Sequence, residues 1–274
     1  MNEEKTNEKK RWSLYKRIIV IGMGPNIVGA AIILFYSIFS VRIPSWLYME
    51  GLKYIVPMIL GFEFLVSPLI NYMIFGKISQ RLDDYYDGKL SEKERMDLFK
   101  KMSHVPSTFG YEVLGFFFAG SMFIFAVLYF VIHMDLLATI LCFLECVYGS
   151  CLVAGLSFAY ARLIVRKDQY SIVKQGLNRD EVMRVKTFGR PLIFQIFIFI
   201  LVPIIFTGLM AIYVVWMGYY PLNIQFKWID GGTQITRMFS ICLLNFSTQT
   251  ILAMIINRQI NNSNKVMMET LEDL

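Results

Sequence analysis

Six apolar stretches, near residues 18–41, 52–75, 112–133, 136–161, 191–217 and 234–257, limit what this chain can become more than any other feature. Each holds the roughly 20 residues that cross about 30 Å of hydrocarbon at about 1.5 Å per residue. A helix satisfies its own backbone inside lipid, whereas an open strand leaves polar groups bare there. The stretches therefore predict an all-α polytopic membrane protein with six transmembrane helices. Composition agrees, because 56% of the 274 residues are hydrophobic, more than one globular core of this length uses. The first stretch follows KKRWSLYKR and is not followed by a small-residue cleavage site, so it reads as an uncleaved signal anchor.

Charge sets the orientation. Segments 76–104 and 162–190 hold most of the Lys and Arg, and the connections alternating with them hold little. Basic loops are retained in the cytoplasm, so both termini are expected there, in a multi-pass protein of the cell (plasma or inner) membrane. Trp46, Tyr48 and Tyr54, and likewise Trp216, Tyr219, Tyr220 and Trp228, then fall at the outer interface, where aromatic side chains concentrate. The net charge of +6 is absorbed by this topology, and no basic patch is left to suggest nucleic acid. Cys142, Cys146, Cys151 and Cys242 all lie inside predicted spans and imply no disulfide framework.

The spans pair into three hairpins that repeat every 80–85 residues or about that. A basic N-terminus, 1–17, precedes a membrane domain, 18–257, with repeats at about 18–101, 102–186 and 187–257, and an exit helix, 258–274, follows. Each hairpin opens on a basic cluster and a proline: Pro25, Pro106 or Pro191. Pro106 and Pro191 suit a first helical turn, where no amide is lost, while Pro25 lies far enough inside its apolar run to kink or delay that helix. The connectors GKLSEKERM (88–96) and GLNRDEVM (176–183) carry matching capping boxes, Ser91 with Glu94 and Asn178 with Glu181. Each connector is therefore expected to hold a short amphipathic helix before the chain re-enters the membrane.

Polar residues inside the spans are the candidate site. Glu63, Glu145 and Asn245 each lie about 15 Å from the outer end of the second helix of a hairpin, near the midplane. Gln249 is one turn from Asn245 on the same face. Intramembrane acids mark ligand sites or ion pathways by default; the competing reading is a protonated carboxyl that donates one interhelical hydrogen bond. If Glu63 and Glu145 converge, their repulsion favours a shared proton, a cation or an amine. Cys142 and Cys146 share a face beside Glu145, but buried cysteine behaves as a small hydrophobe and neither His104 nor His133 joins them, so packing is the expected role and no metal is assigned. Gly115 with Ala119, and Ser150 with Ala154, read as close-packing surfaces. The chain carries no G-x-S-x-G, Walker or H-E-x-x-H motif, so neither an enzyme nor a cofactor is expected.

In the tail, Ile260, Met267 and Leu274 are spaced by seven with Leu271 between the last two, the start of an a/d seam for a dimeric signalling helix. Together with Lys100, Lys101 and Pro106, Arg190 and Pro191, the basic exits Arg162 and Arg166 and the two G-x-L-type connectors, this pattern resembles the six-helix membrane modules N-terminal to bacterial class III adenylate cyclases and some chemotaxis-type receptors. The resemblance implies a receptor or regulator that dimerises and signals through its sixth helix to a cytoplasmic output partner. The expected function is thus a sensory or regulatory membrane domain whose small apolar or cationic ligand contacts Glu63, Glu145, Asn245 and Gln249. The alternative is a transporter or permease subunit that uses Glu63 and Glu145 for a cation, proton or amine.

Overall fold

The structure is a computed structural model and describes residues 12–40, 45–175, 177, 202, 204–209, 239, 242–243, 246–247, 249–250, 253–254 and 257–258. Its elements are all helical. Helix α1 is Leu14–Ser40, α2 is Ser45–Gly61, α3 is Ser67–Tyr86, α4 is Glu92–Ala126 and α5 is Leu136–Lys174. A π-helical turn, Phe62–Val66, joins α2 to α3 without a break, and a second, Val127–Val131, ends α4. Among the described residues three helical runs are long and apolar enough to cross a membrane: Met49–Tyr86, Glu92–Val131 and Ala138–Lys174. Predicted spans 191–217 and 234–257 are described only in part, and Asn178, Glu181, Pro191, Ile260, Met267, Leu271 and Leu274 lie outside the described residues.

The three runs hold 38, 40 and 37 residues, far more than the roughly 20 a bilayer needs. The excess carries the charge. Arg81, Asp83, Asp84, Lys93, Arg95, Asp97, Lys100, Arg166, Lys167 and Lys174 fall on the end of α3, the start of α4 and the end of α5. The core follows the same distribution, because Phe75, Leu82, Tyr85, Leu98, Met102, Phe109, Phe158, Val165 and Ile172 form one buried cluster toward this charged end. Phe75 is fully buried and meets Phe109 edge-on with centroids 6.0 Å apart. Burying one such ring is worth roughly 2 kcal/mol. Further along, Phe64, Leu65, Leu69, Met73 and Phe130 are exposed, as expected of faces whose solvent is lipid. Helix α5 is the central post: 72% of its apolar window is buried, against 11% for α2–α3 and 22% for α4.

Two expectations about the first connector are corrected here. No separate amphipathic helix stands between Tyr86 and the membrane; residues 92–96 are the first turns of α4 itself, which runs unbroken to Ala126. Pro106 is consequently not in a first turn but buried well inside that helix. Basic and apolar segments fuse because Met96, Leu98, Phe99 and Met102 are already buried in the core before the apolar part of α4 begins. The capping box itself is present. The Glu94 carboxylate accepts the Ser91 amide at 2.9 Å and the Ser91 hydroxyl at 2.7 Å. Gly88, at φ +71°, turns the chain out of α3 just before it. Ser91→Ala is expected to cost about 1 kcal/mol, read as a lowered unfolding midpoint in micelles, with a smaller loss for Ser91→Asp. At the other end, Asp135 caps α5 by accepting the Ala138 amide at 3.4 Å.

Helices α1, α3 and α5 are joined at the charged end by a part-buried polar cluster centred on the buried Asp168. Arg17 donates to Asp168 at 2.7 Å, and the Tyr86 hydroxyl donates to the other Asp168 oxygen at 2.9 Å. Tyr85 and Ser171 meet at 3.2 Å, and Arg95 of α4 reaches the Gln175 carbonyl at 3.0 Å. Outside this cluster Asp97 pairs with Arg81 and Lys101 on the exposed surface, where ion pairs contribute little.

The small-residue surfaces divide. Ser150 and Ala154 are buried, and Ser150 lies 3.4 Å from Ser121 of α4. At Gly115 a Cβ would meet nothing within 4 Å among the described residues. The close approach is instead at Gly29 of α1, where a Cβ would stand 1.8 Å from a Val153 methyl on α5.

Candidate ligand cavity

A cavity of about 800 Å³ lies between α1, the α2–α3 run, α4 and the start of α5. Its walls are mainly apolar, with Ile and Phe the commonest side chains, and its polar side chains include Asn26, Glu63, Ser67, Asn71, Glu112 and Ser121. No Lys, Arg or His is among the lining residues that the structure describes.

Local structure explains how the acids come to face one space. Glu63 sits in the π turn, closed by the Ser67 amide bonding to the Phe62 carbonyl. The wider turn rotates Glu63 relative to a regular helix, and such turns recur at functional positions. Its carboxylate accepts the Asn26 amide nitrogen at 2.6 Å, so α1 supplies the first partner. Glu112 comes from α4. One turn on, Phe116 meets Phe62 edge-on at 5.0 Å, which ties the turn holding Glu63 to the helix holding Glu112. Both Glu112 oxygens are buried and lack a hydrogen-bond partner among the described residues. The same is true of Asn26 Oδ1 and Asn71 Oδ1. The Asn71 amide nitrogen is already used, bonding to the Ser67 carbonyl at 2.9 Å.

The four site residues named from sequence are not one layer. Glu63 lines the cavity. Glu145 is 1% exposed and does not line it, although Cys142 and Cys146 on either side do. Gln249 donates to the Tyr148 hydroxyl at 3.0 Å, and the Tyr148 ring stacks on Phe206 at 4.2 Å. At about 100° per residue, Glu145 falls between the cysteine face, toward the cavity, and the Tyr148 face, toward Gln249. Asn245 lies outside the described residues. Among those residues no three His, Cys, Asp or Glu side chains gather as a metal site.

Asn26, Asn71 and Glu112 were not singled out by sequence reasoning. Glu112 stands at the first residue of its predicted span, where a carboxylate looks interfacial. The signal that could have found it is spacing: Phe109, Glu112, Val113 and Phe116 recur at helical intervals, continuous with the polar turns before them. Compared with protein-family models, curated proteins and solved structures, the chain matches none.

Proposed function

We propose that the chain is a membrane-embedded sensory or regulatory domain in which occupancy of the cavity is passed along unbroken helices to a cytoplasmic layer. The observation that carries this reading is continuity. Asn26 and Arg17 share α1, Glu63 and Tyr86 share the α2–α3 run, and Glu112 and Arg95 share α4. Each of these cavity groups thus lies on the same helical run as one in the polar network at the charged end. In this reading both termini are cytoplasmic, three hairpins form the six-helix bundle of a cell-membrane protein, and the exit helix engages a second copy or an output partner.

The test joins a cyclase output after Leu274 and measures nucleotide production in membranes. Glu63→Gln breaks the charge-assisted bond to Asn26 and is expected to shift basal output by about fivefold or more, the lower range of allosteric coupling. Output that is identical in the wild type and in Glu63→Gln, Glu112→Gln and Glu145→Gln under every condition tried would sink the proposal.

A transporter or permease subunit is the second reading, favoured by one observation: two acids from different helices share a cavity within the apolar zone, one of them on a π turn. It predicts cation flux in proteoliposomes that Glu63→Gln abolishes.

A further inference from the structure

The cavity's hydrogen-bonding inventory leans toward acceptors. The Asn26 and Asn71 amide nitrogens already donate, to Glu63 and to Ser67, and the Ser121 hydroxyl donates to the Phe117 carbonyl at 2.7 Å. Four buried oxygens remain without a donor among the described residues: both of Glu112, Oδ1 of Asn26 and Oδ1 of Asn71, the last on a residue only 3% exposed. Buried acceptors are normally satisfied, and leaving them bare costs free energy that a ligand donor recovers. We propose that the cavity binds a lipophilic primary or secondary amine, whose ammonium N–H groups are taken by these bare oxygens, Glu112 first. This deepens the ligand-site reading above and rests on it.

Charge selects the class. Among the described residues two carboxylates and no basic side chain line the cavity, so an anionic or phosphate headgroup is disfavoured while an ammonium is complementary. The apolar remainder, including Phe62, Phe109 and Phe116, suits an alkyl or aryl body and offers ring faces to a cation. A bare divalent ion is a poor fit, since hard cations need six or more oxygens and the walls are mainly carbon. The volume matches small-molecule sites, which run from about 300 to 1,000 Å³. Access is from lipid, because Phe64 and Leu65, next to Glu63 on the same turn, are 63% and 74% exposed on an apolar face. An amine that partitions into the bilayer arrives there already concentrated.

The test measures radiolabelled dodecylamine binding to the full chain in phosphatidylcholine nanodiscs, with empty nanodiscs subtracted. The expected result is saturable binding that unlabelled dodecylamine displaces and dodecanol does not. Dodecyltrimethylammonium keeps the charge but has no N–H, and should compete about tenfold less well, one step of 1.4 kcal/mol. Glu112→Gln and Asn71→Leu should each weaken dodecylamine about tenfold or more, and Glu145→Gln, outside the lining, should not. Monodisperse elution and helical circular dichroism confirm that each variant folds; should Glu112→Gln fail, Asn26→Ala replaces it. Binding equal to that of empty nanodiscs, or unchanged in every folded lining variant, overturns the amine site. Binding with no change in the output fusion would retain the amine site and remove the signalling reading; an amine-blind cavity with a responsive output would do the reverse.

Discussion

Arg17→Ala is expected to lower the unfolding free energy of the full chain by about 3 kcal/mol, measured by reversible detergent-induced unfolding in mixed micelles. The size follows from where the pair lies. Asp168 has a side chain 4% exposed and Arg17 one 21% exposed, and their atoms are 2.7 Å apart. Removing the cation leaves a carboxylate in a place that water reaches poorly, and that penalty exceeds the net worth of the pair. The charge-free double variant Arg17→Met with Asp168→Leu should therefore recover most of the loss, although neither single change does. Because Tyr86 donates to the same carboxylate, Tyr86→Phe should show a smaller cost and a coupling energy with Arg17→Ala, the signature of one network. A cost below about 0.5 kcal/mol for Arg17→Ala would place the pair among ordinary surface salt bridges.

Gly29→Leu is the second large effect. A Cβ at this position would stand 1.8 Å from one Val153 methyl and 3.2 Å from the Val153 Cβ, so α1 and α5 must separate to admit any side chain. Val153 is fully buried and its branched side chain has one strongly preferred rotamer in a helix, which leaves it little room to yield. Overpacking here is expected to cost about 3 kcal/mol, read from the same unfolding assay, with aggregation on size-exclusion chromatography as the alternative sign. Gly29→Ala should be milder, and adding Val153→Ala should restore it. The contrast is Gly115→Ala, where a Cβ meets nothing among the described residues and the better helix propensity of alanine leaves stability equal or slightly higher. If Gly115→Ala is the more damaging of the two, the α1–α5 contact is not where the structure has it.

Interactions that close within one turn were legible from sequence. The Ser91–Glu94 box needs only two side chains three residues apart, and it formed as read even though the helix it starts is far longer than expected. Glu63 was legible for another reason, since a carboxylate in an apolar run is anomalous wherever the helix turns. What sequence did not yield was azimuth and partnership. An amide such as Asn26 in a first span carries no alarm by itself, and only the fold brings it 2.6 Å from Glu63. Gly115 and Gly29 look alike in sequence, each in an apolar helix with alanines nearby, yet among the described residues one meets no neighbour and the other meets another helix. Span boundaries drawn from hydropathy also hid Glu112, because α4 does not register where lipid begins. Its polar and apolar segments belong to a single helix with one continuous buried stripe.

The π turn at Phe62–Val66 has a consequence for how this part of the chain can change. A wide turn adds residues to a helix without lengthening it in proportion, so it acts as a swivel between two halves that otherwise would be locked in phase. The half before it, α2, meets the second π turn at the far end of α4; the half after it, α3, packs against α1 and α4. Each half keeps its own bearing. Substitutions on α2 can remodel the mouth of the cavity while Tyr85 and Tyr86 stay aimed at α5, and Glu63 sits at the pivot between a part free to diversify and a part held in place.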